Sequence, residues 1–393
     1  MNLHEYQAKQ LLNQYNIPTP QGVPCTNLDE IKQSLHQITT SQWVMKCQVH
    51  TGGRSKAGGI QIVNNECEAT NFAKQWFGKN LVTYQTNSTG LPVHTIYVEE
   101  SAAIEREIYL SVLIDSSLQK MVFIASSEGG INIEDIAETN PDVIYKITID
   151  PLIEVMPYQG RELAFQLGLT GKQVKQFTHI FIQLIKLFKQ KDLSLLEVNP
   201  LVITQQGDLL CLDAKIIVDD NALYRQPELH KMNDPTQQDP REVIAEYHQL
   251  NYVALKGNIG CVVNGAGLAM GTMDSLKAFG GQPANFLDVG GKITVERVTE
   301  AFKLVLSDPN IKVILVNIFG GIVRCDLIAK GIIAAVNEIE IQIPVIVRLE
   351  GNNAEIARHI LSECNLNIIS ATNLTQAAQL AVDIAKKDEE MNK

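Results

Sequence analysis

KVILVNIFGGIVRCDLIAKGIIAAV, residues 312–336, decides the fold. Its first half is a near-continuous apolar run, the pattern of a strand covered on both faces. After Gly320 and Gly321 the apolar spacing becomes helical. A strand passing through a glycine turn into a helix is half of a βαβ unit, and the free amides at such a helix start form a ready anion site. The stretch has no lysine in a GK[ST] setting to press on a phosphate, and it offers no obvious nucleophile. Cys325 reads as a small buried hydrophobe.

The same unit recurs on either side. NIGCVV (258–263) runs into NGAG and a helix, and ANFLDVGG (284–291) precedes a helix from Thr294 to about Leu306. PVIVRLEGNN (344–353) leads to a helix capped by Asn353, and LNIIS (366–370) leads to the last one. Alternating βα units predict an α/β fold with a doubly wound parallel sheet. Consecutive strands ending in NGAG, DVGG, FGG and EGNN put a binding crest along one edge, where such sheets hold ligands. NGAGLAMG is not the dinucleotide fingerprint, because its third glycine arrives one residue late.

Residues 233–252, polar and with two prolines, read as a linker before this part. The 393 residues are ample for two or three cores, with 45% hydrophobic and 20% charged content as in ordinary globular chains. A net charge of −11 without a basic stripe excludes a nucleic-acid partner. The N-terminus is amphipathic, with Leu3, Leu11, Leu12 and Ile17 at helical spacing, and it lacks the pattern of a secretory signal. No apolar run is long enough for a membrane span, and seven scattered cysteines without a CxxC pair suit a reducing cytoplasm.

Ahead of the linker the chemistry differs. WVMKCQVHTGGRSKAGGI (43–60) ends a short strand at Lys46 and continues into a loop with Gly52, Gly53, Gly58 and Gly59. Such a loop, with Arg54 and Lys56, can close over polyphosphate, and a solvated hairpin with basic residues on its face is the alternative. Glu99 and Glu107 lie in a strand-rich region, where glutamates usually face solvent. In LSLLEVNPLVITQQGDLLCLDAKI (193–216), Glu197 and Asn199 share a strand face and Asp213 emerges from an otherwise apolar strand. Hard oxygen donors on adjacent strands suit Mg²⁺ beside substrate phosphates, and a hydrogen-bond network at the sheet rim would use them equally well.

Together MNLHEYQAKQLL, KCQVHTGGR, EVNPLVIT…GDLLCLDAK, NGAGLAMGTMD, ANFLDVGG, NIFGGIVRCDLIA and VRLEGNN resemble the β subunits of succinyl-CoA synthetases, in order and over nearly the whole chain. The resemblance implies an ATP-grasp nucleotide-binding domain over 1–238 and a flavodoxin-like CoA-ligase domain over 239–393. It implies an ADP-forming acid–thiol ligase of the citric acid cycle, making succinyl-CoA, ADP and phosphate reversibly from succinate, CoA and ATP. The phosphoryl group would pass through a phosphohistidine on a cytoplasmic α partner, in an αβ or (αβ)₂ assembly, with one Mg²⁺ per subunit.

By the same resemblance, Lys46, Gly53, Arg54, Ser55, Glu99, Ala102 and Glu107 line the nucleotide site. Asn199 and Asp213 hold Mg²⁺, and Glu197 meets the phosphohistidine. Asn264, Gly321, Ile322 and Val323 face substrate together with the partner. A β subunit of a malate–CoA ligase, or a nucleotide or acyl-CoA sensor on the same fold, are the alternatives. Two departures from the family pattern stand out: Ser55 replaces a glycine, adding strain if that position needs a positive φ, and Ala214 replaces another beside Asp213. None of the eight histidines sits in a loop suited to carrying the phosphoryl group, His50 coming nearest. The anion expected at 320–323 is then the phosphate of the partner's phosphohistidine.

Overall fold

The computed structural model describes residues 1–290, 294–320, 323–339, 343–364 and 367–391. The chain forms two compact units, Met1–Gln237 and Gln238–Lys393.

The first unit contains two main sheets. The smaller has four antiparallel strands in the spatial order Gly22–Cys25, Ile96–Glu100, Trp43–Cys47 and Ile60–Val63. Helices Leu28–Gln37 and Glu66–Trp76 begin at Asn27 and Asn65, whose side chains accept the amides of Glu30 and Glu68. Ile31 and Phe72 from these helices share a core with Met45 and Val98 from the sheet.

The larger sheet has six strands and is built around two twelve-residue strands, Ile104–Asp115 and Leu193–Thr204. Ala214–Val218 pairs along the first half of Leu193–Thr204, and Leu209–Cys211 along its second half. Helix Lys172–Gln190 buries Phe177, Ile180, Phe181 and Leu184, spaced i, i+3, i+4, i+7, against this sheet's core. Helix Glu5–Gln14 brings Ala8, Leu11 and Leu12 into the same core, and the Leu3 amide donates to the Ile216 carbonyl at 3.1 Å.

The stretch read as a linker is largely structured. It holds the turn Pro235–Gln237, helix Pro240–Tyr247 and the start of strand Asn251–Ala254. Asp239 caps the helix by accepting the Arg241 amide, and Pro240 occupies its first turn. Prolines and polar residues therefore mark a helix start here.

The second unit is the doubly wound sheet expected from 312–336. Its parallel strands, in chain order Ile259–Val263, Asn285–Asp288, Val313–Gly320, Val345–Gly351 and Ile368–Ser370, lie in the spatial order 2-1-3-4-5, the flavodoxin-like arrangement. Asn251–Ala254 adds an antiparallel edge strand. The strand order reverses between Ile259–Val263 and Val313–Gly320, so the switch point opens beyond Val263 and Gly320. Helices Ala266–Ala278, Val295–Leu306, Cys325–Ile339, Ala354–Ser362 and Leu374–Met391 alternate with the strands.

Two local expectations are corrected. Gly320 does not open a helix: it ends the strand, paired with Gly351, and the helix begins at Cys325. Asn353 occupies the position before its helix in a left-handed conformation (φ 59°), and its side chain donates to Asp326 Oδ1 at 2.9 Å without capping. Among the described residues no helix is long and apolar enough to cross a membrane.

Candidate functional site

In the first unit, Lys46 lies opposite Tyr97 and Val44 opposite Glu99, so period-two alternation puts Lys46, Tyr97 and Glu99 on one face. Both charged residues are buried, Glu99 at 0% and Lys46 at 5% exposure. The general tendency of strand glutamates to face solvent fails for Glu99 because cations meet it. Lys46 pairs with Glu99 and also donates to Glu5 Oε1 at 2.8 Å and to the Leu212 carbonyl at 3.2 Å.

Helix Glu5–Gln14 completes the cluster. Lys9, 1% exposed, pairs with Glu99 and lies 3.0 Å from Glu5 Oε1, one helical turn away. Arg54 bridges Glu5 Oε2 at 2.8 Å and Asp213 Oδ2 at 2.9 Å, and donates to the Cys47 carbonyl at 3.1 Å. Three cations, Lys9, Lys46 and Arg54, thus face three carboxylates, Glu5, Glu99 and Asp213. Burial alone would raise the Glu5 carboxyl, but Lys46, Lys9 and Arg54 outweigh it and hold Glu5 well below the usual carboxylate range. Burial likewise opposes the charge on Lys9, and Glu5 and Glu99 reverse that effect. Removing one partner from such a set leaves an uncompensated buried charge, at a cost of about 3–5 kcal/mol.

The glycine loop after Lys46 is folded back on itself. Gly59 donates to the Arg54 carbonyl at 2.8 Å, and Gly52 to Gln85 Oε1 at 2.8 Å. Gly53 has φ 72°, and a Cβ there would meet the Tyr84 ring at 2.4 Å. Ser55 is not among the positive-φ residues, so its replacement of glycine carries no backbone strain. Arg54 turns inward onto Glu5 and Asp213, whereas Lys56, two residues on, is exposed. His50, against His4 with ring centroids 4.4 Å apart, is pushed down by burial and by His4 to about 4. Its imidazole is therefore neutral near pH 7.

The oxygen donors lie on the larger sheet. The Asn199 amide donates to the Asp213 carbonyl at 3.2 Å, which brings these two residues to adjacent positions. Asn199 Oδ1 accepts the Gly130 amide at 2.8 Å, and its Nδ2 lies 3.5 Å from Glu197 Oε1. Burial pushes the Glu197 carboxyl up, against the opposing pull of Lys215 opposite it in the sheet. Glu107 lies on the neighbouring strand against Gly130, where a Cβ would come within 2.0 Å of Glu107 Oε2. Ala102 sits in the turn between Ile96–Glu100 and Ile104–Asp115, without a polar side chain to contribute. Asp213 uses one oxygen for Arg54 and the other for the Ala214 amide at 2.8 Å. A carboxylate has about four lone-pair sites, so acceptor capacity remains on Asp213, and one carboxylate with one carboxamide oxygen suits Mg²⁺ beside phosphates.

In the second unit, Asn264 bridges the switch point. Its Nδ2 donates to the Phe319 carbonyl and its Oδ1 accepts the Phe319 amide, both at 2.8 Å. The buried Asp288 accepts the amides of Gly265 at 2.6 Å and Gly290 at 2.8 Å, fixing two of the strand-end turns with one carboxylate. Gly321 and Ile322 lie outside the described residues. Val323 is 3% exposed and belongs to the hydrophobic core. Burial raises the Cys325 thiol, in keeping with a packed side chain.

The ATP-grasp domain family matches residues 2–203, and the CoA-ligase family matches residues 262–382. The β subunit of succinate–CoA ligase [ADP-forming] from Glaesserella parasuis is 63% identical over 385 residues, covering 98% of this chain and 99% of the relative. The protein of that name from Haemophilus influenzae strain PittEE is 61% identical over 386 residues, covering 98% and 99%. The chain belongs to the β subunits of ADP-forming succinate–CoA ligases.

These β subunits belong to acid–thiol ligases and join an ATP-grasp domain to a CoA-ligase domain. ATP citrate lyase from Methanothrix soehngenii shares the fold, with a TM-score of 0.75 and 19% identity over 97% of this chain and 99% of that one. In this chain, sequence reasoning overlooked Glu5, Lys9, Gly130 and Asp288. For Glu5 and Lys9 a signal existed: with Ala8 and Leu12 they occupy positions i, i+3, i+4 and i+7, so two charges lie on the apolar stripe of the first helix. Gly130 stood in a Gly-Gly pair after a strand, and Asp288 ended one.

Proposed function

We propose that this chain supplies the Mg-nucleotide site and part of the substrate site of a ligase that interconverts succinate, CoA and ATP with succinyl-CoA, ADP and phosphate. Residues 1–238 would bind nucleotide and 239–393 would serve the CoA step. The partner is a cytoplasmic α subunit, in an αβ or (αβ)₂ assembly, carrying a phosphohistidine; neither nucleic acid nor membrane takes part. The observation that carries this reading is the convergence of Lys46, Arg54, Glu99 and Asp213, next to Asn199, in a β subunit of this family.

Lys46 and Arg54 supply positive charge for the phosphates, Arg54 as a planar fork and Lys46 as a point charge. Gly53 and Ser55 bring backbone close to the nucleotide, while Ala102 and Glu107 serve its base and ribose end. Asn199 and Asp213 would hold Mg²⁺, which when bound neutralises charge on the transferring phosphoryl group. Glu197 accepts a hydrogen bond from the partner's imidazole, orienting the ring and stabilising its positive form. Asn264 and Gly321–Val323 would face the substrate together with the partner, and the backbone amides of 320–323 would meet the phosphohistidine's phosphate, stabilising an anion without trapping it in a tight ion pair.

The test is co-purification with the α partner, followed by a thiokinase assay across succinate, malate, ATP and GTP. Succinate- and ATP-dependent thioester formation by the complex, and none by this chain alone, is the expected result. Thioester formation by the single chain, or a preference for malate, would overturn the reading.

A further inference from the structure

Lys9 is a fully buried cation that the proposed reaction does not use. Its ammonium group meets Glu99 and Glu5 and lies 5.2 Å from the centroid of the Tyr97 ring. Two carboxylates and an aromatic face surround it, and at 1% exposure it cannot reach a ligand in solvent. Lys46 and Arg54 differ from it. Each touches the cluster's carboxylates, yet Lys46 also reaches the Leu212 carbonyl and Arg54 reaches Asp213, beside the donors suited to a metal.

Both of these cations are engaged by carboxylates: Lys46 by Glu5 and Glu99, Arg54 by Glu5 and Asp213. A polyphosphate that draws on Lys46 and Arg54 must compete with those carboxylates. We propose that Lys9 is a positioning residue of the nucleotide site, the fixed counterion of Glu5 and Glu99 that leaves Lys46 and Arg54 available to phosphate. This rests on the nucleotide-site reading above. Without Lys9 the cluster keeps Lys46 and Arg54 against Glu5, Glu99 and Asp213, so the balance becomes one negative charge beside the phosphates. The remaining carboxylates then grip both cations more tightly. With Glu5 neutralised as well, Lys46 and Arg54 face Glu99 and Asp213, and the balance returns to zero.

The experiment measures Mg-ADP affinity, and KM and kcat for ATP-dependent phosphorylation of the α partner, on the full αβ complex with thermal melting alongside. Lys9→Met is expected to raise both Kd and KM roughly tenfold with kcat changed by less than about twofold, because Lys9 touches no reacting group. Lys9→Met combined with Glu5→Gln is expected to recover Kd to within about threefold of the unmodified complex. The melting temperature falls under either role, because an uncompensated buried charge is left behind; a packing role differs in that Kd stays put in the folded fraction and the second substitution rescues nothing. A folded Lys9→Met complex with unchanged Kd overturns the proposal, as does a double variant that binds or folds no better than the single one. If the unmodified complex binds no Mg-ADP, the nucleotide-site reading itself has failed, a result distinct from either.

Discussion

The two units build their candidate sites from opposite materials. In the first, ionised side chains from helix Glu5–Gln14 and strands Trp43–Cys47 and Ile96–Glu100 meet in a buried cluster, with Arg54 and Asp213 contributed by loops. In the second, the strand-end turns at the switch point are fixed by neutral or singly charged groups: Asn264 on the Phe319 backbone and Asp288 on the amides of Gly265 and Gly290. A site made of buried charges can be disabled by a single neutral substitution. A site made of backbone can be reached only through the side chains that shape it.

The sharpest break is expected at Asp213. Asp213→Asn removes a carboxylate from beside Arg54 and from the proposed metal pair, and should slow Mg²⁺-dependent phosphorylation of the partner by about 10²–10³-fold. Single-turnover phosphorylation at modest Mg²⁺ checks it, and a normal rate would make Asp213 purely structural. Glu197→Gln should follow, with phosphoryl exchange falling by about 10²-fold while nucleotide Kd stays within about twofold. Equal losses in both quantities would assign Glu197 to nucleotide binding.

On the other side of the comparison, Asp288→Ala leaves the amides of Gly265 and Gly290 without their shared acceptor. It should lower the stability of the second unit by about 1–3 kcal/mol. Denaturant melts should show that loss together with slower CoA-dependent dephosphorylation of the partner, and Mg-ADP affinity should be unchanged. Val323→Asp is a blunter probe, because it puts an unpaired charge into a core position and should unfold the unit before any anion is tested.

The smallest effect concerns acid. The Arg324 guanidinium, with Asn353, holds the Asp326 carboxyl down to about 2. A depressed folded-state pKa contributes stability above the unfolded value, about 3.9 for Asp, and loses it as pH falls toward the folded one. Asp326→Asn should therefore flatten the fall in stability between about pH 4 and pH 2, and leave the region above pH 5 with the same slope. Melting curves across that range decide it.

Much of the second unit was legible because its strands are apolar runs and its turns are glycine-rich. Patterning by itself did not distinguish which strands are neighbours, and the 2-1-3-4-5 order rests on tertiary packing. Helix Pro240–Tyr247 passed for a linker because it is short and polar and starts with proline, a residue that marks helix starts as well as loops. Asn353 is the usual residue type for a cap, but Asp326 draws its side chain away. Glu99 was undervalued for a different reason: a carboxylate's burial depends on cations far away in sequence, and Lys9 is ninety residues distant.

That separation affects synthesis. Helix Glu5–Gln14 leaves the ribosome well before its partners, for Asp213 and the strand Ala214–Val218 that its segment joins come two hundred residues later. At about 5–20 residues per second, roughly 10–40 s pass between Lys9 and Asp213. For that interval Glu5 and Lys9, one helical turn apart on the apolar stripe, lack the strand and the Asp213 carboxylate that complete their cluster. The charges that are hardest to bury in the finished protein are thus also the ones that wait longest for their full set of partners.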